Sequence, residues 1–335
     1  MNTASAVKMT AAVILGFLIC LTAVTVKKDS PVSDFILADI LPAVEYEKAP
    51  ADREVVLYIE KKPDGKPQEN DEKEYMLFDD GITNEYAAAN YYIVSGRTGF
   101  RTGDIDLEAF KNTDLTVDKN SNGPQILIFH THSSEMFADS DPQKGLSEGI
   151  WGVGEELKTV LERDYGFKVY HDTGRYDIVD GKTSILGSYE RMEPEIKKIL
   201  EKYPTIELVI DLHRDGLNDG AQKLVTDING EKCAKVMLFN GLSRLKEKGG
   251  LKDIAGLENP YLKDNLALSY AVYKAAEGMH PGLMRKIYIE GYRYSLHMKP
   301  KSMLIEVGAQ TNTKQEAKNS MKYIAKAIAA VVSKE

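Results

Sequence analysis

Residues 124–137 read PQILIFHTHSSEMF, an apolar run that passes directly into polar residues. Four apolar residues, Ile126 to Phe129, stand together without alternation, as they do in a strand buried on both faces. Polar, chemistry-bearing residues follow at once: His130, His132, Ser133, Ser134 and Glu135. The same kind of run recurs as FKVY (167–170), IELVIDL (206–212), KVMLF (235–239), KIYI (286–289) and SMLIEV (302–307). Helical periodicity fills the gaps. Residues 149–163 line up Ile150, Val153, Leu157, Val160 and Leu161, and residues 190–202 line up Met192, Ile196, Ile199 and Leu200. Asn259-Pro260 is expected to start a helix that ends before Gly278, and Thr313 with Glu316 forms a capping box for a helix over 314–332. Strands alternating with helices predict an α/β domain over 121–335, an open, mostly parallel sheet with helices on both faces. Ligands of such sheets bind beyond the carboxyl ends of the strands.

The remainder of the chain divides by composition. Residues 9–26 carry no charge and are flanked by Lys8, Lys27 and Lys28. This predicts a short cytoplasmic tail (1–8), a single-pass membrane anchor (9–26) and an extracytoplasmic remainder. Residues 27–75 hold five prolines and a charge-rich stretch, the pattern of a linker. Residues 76–120, with YYIVSG and DIDLEAFKNTDL, are expected to form a small N-terminal subdomain. A net charge of −8 argues against a nucleic-acid partner. Cys20 lies in the apolar run and Cys233 far from it, which excludes a disulfide framework.

Three of the six histidines stand at the ends of two expected strands, in HTHSSE and in DLHRD (211–215), while Glu306 interrupts the apolar frame MLIEV. Imidazole and carboxylate groups are zinc ligands, and a catalytic zinc keeps three protein ligands and one open position. In extended chain, residues i and i+2 point the same way, so His130 and His132 could face one ion, or one could ligate while the other binds substrate, with His213 added from a second strand.

PQILIFHTHSSEMF, VIDLHRDG and MLIEVGAQTNT, in this order, resemble the signature blocks of the stage II sporulation protein P family, which is related to zinc-dependent N-acetylmuramoyl-L-alanine amidases. The resemblance covers roughly residues 90–335. It implies an amidase-like fold, one zinc ion, and hydrolysis of the amide between muramic acid and L-alanine of peptidoglycan. It further implies action in forespore engulfment from the mother-cell membrane, beside a lytic transglycosylase of the sporulation protein D type. Cleavage of peptide cross-links, zinc carboxypeptidase activity and a purely binding role are the rival readings. By the same resemblance His213 is a zinc ligand, and His130 and His132 both stand in the motif that supplies another. The carboxylate ligand is Glu135 on the sporulation pattern and Glu148 on that of the wider amidases. Glu306 matches the catalytic glutamate. His171, Arg214, Arg293 and Asn312 are candidates for binding substrate.

Overall fold

The computed structural model describes residues 81–218 and 223–333. In chain order the elements are α1 (Asn84–Tyr91), β1 (Tyr92–Val94), α2 (Leu107–Lys111), β2 (Ile126–Phe129), α3 (Ile150–Tyr165) and β3 (Val169–His171). A small hairpin, β4 (Ile178–Val179) and β5 (Lys182–Thr183), leads to α4 (Ser188–Lys202) and β6 (Leu208–Asp215). Next come the hairpin β7 (Val225–Ile228) and β8 (Glu231–Ala234), then β9 (Val236–Gly241), then the hairpin β10 (Arg244–Glu247) and β11 (Gly250–Asp253). The chain closes with α5 (Leu262–Met279), β12 (Ile287–Glu290), β13 (Lys301–Ala309) and α6 (Lys314–Val332).

Seven strands form one sheet in the order β1-β12-β9-β13-β6-β2-β3. Each neighbouring pair is parallel except β9 with β13, which is antiparallel. Two parallel blocks therefore run in opposite senses, and the mostly parallel sheet contains one reversal that the apolar runs do not encode. Alternation along the strands builds two cores. Ile126, Ile128, Leu208, Ile210, Leu212, Met303, Ile305 and Val307 face α3, α5 and α6. Leu127, Phe129 and Val209 face the other way, onto Met192 and Ile196 of α4. Helices thus cover both faces, but unequally.

Local signals set the helix ends. Gly166, at φ 72, ends α3, and its N–H donates to the Glu162 carbonyl. The Thr313–Glu316 capping box opens α6. The start of α5 differs from expectation. Asn259 Oδ1 accepts from the Tyr261 N–H, so the chain turns before the helix opens at Leu262. Gly278 does not stop α5, which continues to Met279. The segment read as a small subdomain is, from residue 81, built into the main sheet. β1 pairs with β12, and Ala87, Tyr92 and Phe110 share the larger core. The anchor and linker readings fall on residues 1–80, outside the described residues. Among the described residues, no helix is long and apolar enough to cross a membrane.

Candidate metal centre

Strand geometry ends at Phe129, and Thr131–Ser134 form a turn. Two buried aspartates pin that turn. Asp211 accepts from the Thr131 N–H (3.0 Å) and hydroxyl (2.7 Å). Asp177 accepts from the N–H and hydroxyl groups of both Ser133 and Ser134. One turn of chain then sets His132 and Glu135 side by side, with His132 Nδ1 3.6 Å from Glu135 Oε1. His213 arrives from the end of β6, its Nδ1 3.6 Å from Glu135 Oε2. Ligand-capable atoms of His132, Glu135 and His213 all lie within 4.8 Å of one another. Tetrahedral zinc with bonds of about 2.0–2.2 Å needs donors roughly 3.3 Å apart, so this spacing fits.

The outer ring nitrogens are also occupied. His213 Nε2 is 2.7 Å from Asp211 Oδ1, and His132 Nε2 is 2.9 Å from Ser188 Oγ. Such partners fix the tautomer that leaves the other nitrogen free for a metal. The Arg214 backbone N–H donates to Glu135 Oε2 (2.9 Å) and holds that carboxylate in place. Burial alone would lower the His213 imidazolium, but the Asp211 and Glu135 carboxylates outweigh it and hold it well above its usual range. Burial would likewise raise Glu135, yet its imidazole neighbours keep it well below the ordinary carboxylate range. The trio favours a carboxylate beside concentrated positive charge.

Glu306 stands opposite His213 in the β13–β6 register. Its Oε2 is shut from solvent and has no hydrogen-bond partner. Burial drives its carboxyl up to about 8; His213 opposes the shift, and Asp215 and Glu135 add to it. An orphaned carboxylate oxygen beside a metal-competent trio is the mark of a site completed by something outside the chain.

The side chains of the other candidates are engaged in other contacts. His130 keeps the strand's parity and turns to the opposite face, under α3. There its Nδ1 is 2.6 Å from the Leu212 carbonyl and its Nε2 2.9 Å from His171 Nε2. Burial, with repulsion from His171, pushes the His130 ring down to about 3. In its neutral form Nδ1–H donates to Leu212. His171 shares that face, bonded through Nδ1 to Glu155 (2.8 Å), so it is not placed to meet a substrate at the trio. Glu148 pairs with Lys314 at 2.8 Å, away from the trio. Asn312 is fully buried and bonds the Ala309 N–H, the Leu224 carbonyl and Glu316. The Arg214 side chain donates to the Met136 and Asp215 carbonyls. Arg293 reaches Glu193 and the carbonyls of Gly256 and Glu258.

Two results are expected from these contacts. A Cβ at Gly154 would stand 2.6 Å from His130 Nε2 and 2.8 Å from His171 Nε2. Both rings are held by hydrogen bonds, so Gly154→Ala should destabilise by about 1–3 kcal/mol, read by denaturant unfolding. Glu193 ties α4 to the 291–300 loop through His297 (3.3 Å) and Arg293 (3.3 Å). His297, then Lys197 and Arg293, hold its carboxyl down at about 2. A depressed carboxyl stabilises above its unfolded pKa of about 4.3 and loses that contribution as pH falls. Glu193→Gln should therefore cost at most about 1 kcal/mol at pH 7, since the pair is partly exposed. The difference in melting temperature from the parent should vanish between pH 4 and pH 2.

Sequence reasoning gave no role to Asp211, Asp177, Ser188 or Glu155. Asp211 carries a readable signal, because it lies two residues before His213 on one strand face. Asp177 and Ser188 come from distant segments and offer none.

Comparison with known proteins completes the picture. The family model described as Stage II sporulation protein P matches residues 27–329. No curated protein matches the sequence. Among solved structures, the chain is similar to the N-acetylmuramoyl-L-alanine amidase AmiC2 of Nostoc punctiforme (14% identity, 63% of this chain, 97% of that one, TM-score 0.35). It is also similar to the CwlD amidase of Clostridioides difficile, solved in complex with the GerS lipoprotein (15% identity, 61% and 94%, TM-score 0.37). An N-acetylmuramoyl-L-alanine amidase from Clostridium difficile 630 shows 11% identity, with 63% and 95% covered and a TM-score of 0.36. With a family match over most of its length, the chain belongs to the stage II sporulation protein P family.

Proposed function

We propose that this protein is a zinc-dependent peptidoglycan hydrolase of sporulation that cleaves the amide between N-acetylmuramic acid and L-alanine. One observation carries the reading: His132, Glu135 and His213 converge within 4.8 Å beside the orphaned Oε2 of Glu306. The first three residues would hold one zinc ion. When bound, it supplies a Lewis acid for the scissile carbonyl and lowers the pKa of water. Asp211 and Ser188 orient the two imidazoles through their outer nitrogens. Glu306 Oε2 takes the proton of the attacking water and returns it to the departing nitrogen. A carboxyl held near neutrality suits both halves of that transfer. The anchor over 9–26 would hold the domain outside the membrane, facing the wall during engulfment, with a sporulation protein D-type lytic transglycosylase as partner.

Chelation tests this reading. Treatment with a strong chelator should remove one zinc per chain and abolish release of soluble muropeptides, and added zinc should restore it. Full hydrolysis by metal-free protein would contradict the proposal.

A further inference from the structure

Among the described residues, helices cover the face of the sheet that carries Glu306 and His213 over only part of its width. Over β2 and β6, α4 seals it. Beyond β13 the register sets Leu304, Phe239, Tyr288 and Ile93 opposite one another in a row across four strands. Directly opposed residues share a face, and Leu304 shares it with Glu306 two residues on. Phe239 and Tyr288 are partly exposed, Ile93 is 47% exposed, and none of the three belongs to either core.

Rings connect this row to the metal centre without a gap. His132 meets Tyr189 (5.8 Å between centroids), Tyr189 meets Tyr294 (5.4 Å), Tyr294 meets Phe239 (4.8 Å) and Phe239 meets Tyr288 (5.4 Å). Tyr294 has φ 51, a left-handed conformation that bulky residues avoid. Its ring lies between those of Tyr189 and Phe239, and backbone strain of this kind gathers at binding and catalytic sites.

We propose that the row Phe239–Tyr288, entered over Tyr294, is a subsite for the glycan strand of the substrate, binding N-acetylhexosamine rings through their apolar C–H faces. The direction of the strand relative to the scissile amide rests on the amidase reading above. Leu304 is buried, and strands about 4.8 Å apart make the exposed part of the row, from Phe239 to Ile93, roughly 10 Å long, the scale of one to two sugar rings. The chemistry favours saccharide over stem peptide. No side chain of the row is charged, and two nearby arginines are already paired, Arg285 with Asp215 and Arg97 with Glu290. A stem peptide, rich in carboxylates and amines, would meet no charged side chain within the row itself.

Calorimetric titration of a β-1,4-linked N-acetylglucosamine hexamer into the full-length protein tests this without any turnover. The parent should bind the hexamer. Tyr288→Leu and Phe239→Leu, which keep apolar volume but lose the ring, should bind on the order of tenfold more weakly. Tyr288→Phe should bind like the parent. Should a leucine variant fail to fold, saturation-transfer NMR on the parent still decides, since transfer should reach the pyranose C–H protons. No binding by the parent, no transfer to those protons, or unchanged affinity in folded leucine variants would overturn the subsite. Loss of zinc-dependent hydrolysis by the parent would instead sink the amidase reading and leave hexamer binding standing.

Discussion

Glu306→Gln is expected to lower peptidoglycan hydrolysis by roughly 10²–10⁴-fold, the range that a positioned general acid–base group contributes. Bound zinc and cooperative unfolding should stay as in the parent. The expectation follows from where the carboxyl stands. It lies opposite His213 in the strand register, and its Oε2 meets no donor from the protein. Since the fold asks nothing of Oε2, an amide there removes no native hydrogen bond. Burial already favours the uncharged form of this group, and a neutral amide resembles it. What the amide cannot do is accept a proton from water and release it to the leaving nitrogen. Hydrolysis within a few-fold of the parent would show that another group moves the proton.

The second large effect separates two carboxylates that the sequence offers as alternatives. Glu135→Gln should weaken zinc binding by at least about 100-fold, beyond the usual loss of an outer partner of a ligand. Glu148→Gln should leave zinc content and hydrolysis unchanged. Glu135 reaches both histidines of the trio at 3.6 Å, whereas Glu148 pairs with Lys314 at 2.8 Å. Gly149 explains how Glu148 can stand so near in sequence to the start of α3 and yet be excluded. A Cβ there would fall 2.2 Å from the Glu135 carbonyl, so the helix start packs directly against the Glu135 loop. The Ile150 N–H donates to that carbonyl. Zinc titration monitored by a competing chromophoric chelator reads both variants. Parent-like affinity in Glu135→Gln would reject it as the carboxylate ligand.

The legible and illegible parts of the chain differ for physical reasons. Runs such as ILIF and IELVIDL announce strands because burial on both faces demands continuous apolar residues, and all six strands that 121–335 contributes to the main sheet start within two residues of where those runs begin. The antiparallel β9–β13 pair was hidden, because composition does not record direction. Hairpins β4–β5, β7–β8 and β10–β11 are short, polar and half-exposed, so they carry little period. At the site, strand alternation failed beyond Phe129. Extended chain would turn His130 and His132 the same way; the turn pinned by Asp211 and Asp177 sends them to opposite faces. His130 then joins His171 and Glu155 beneath α3, and His132 joins Glu135. Arg214, Arg293 and Asn312 are candidates for binding substrate in the sequence, and each is engaged by backbone carbonyls or neighbours that only the tertiary fold brings near.

Mass spectrometry of peptidoglycan digested by the zinc-loaded protein identifies the bond that is cut. Free stem peptides with an unmodified L-alanine amino terminus are expected, together with glycan strands whose muramic lactyl groups end in a free carboxylate. Products still carrying stem peptides on muramic acid, with only cross-links or terminal residues removed, would contradict amidase activity.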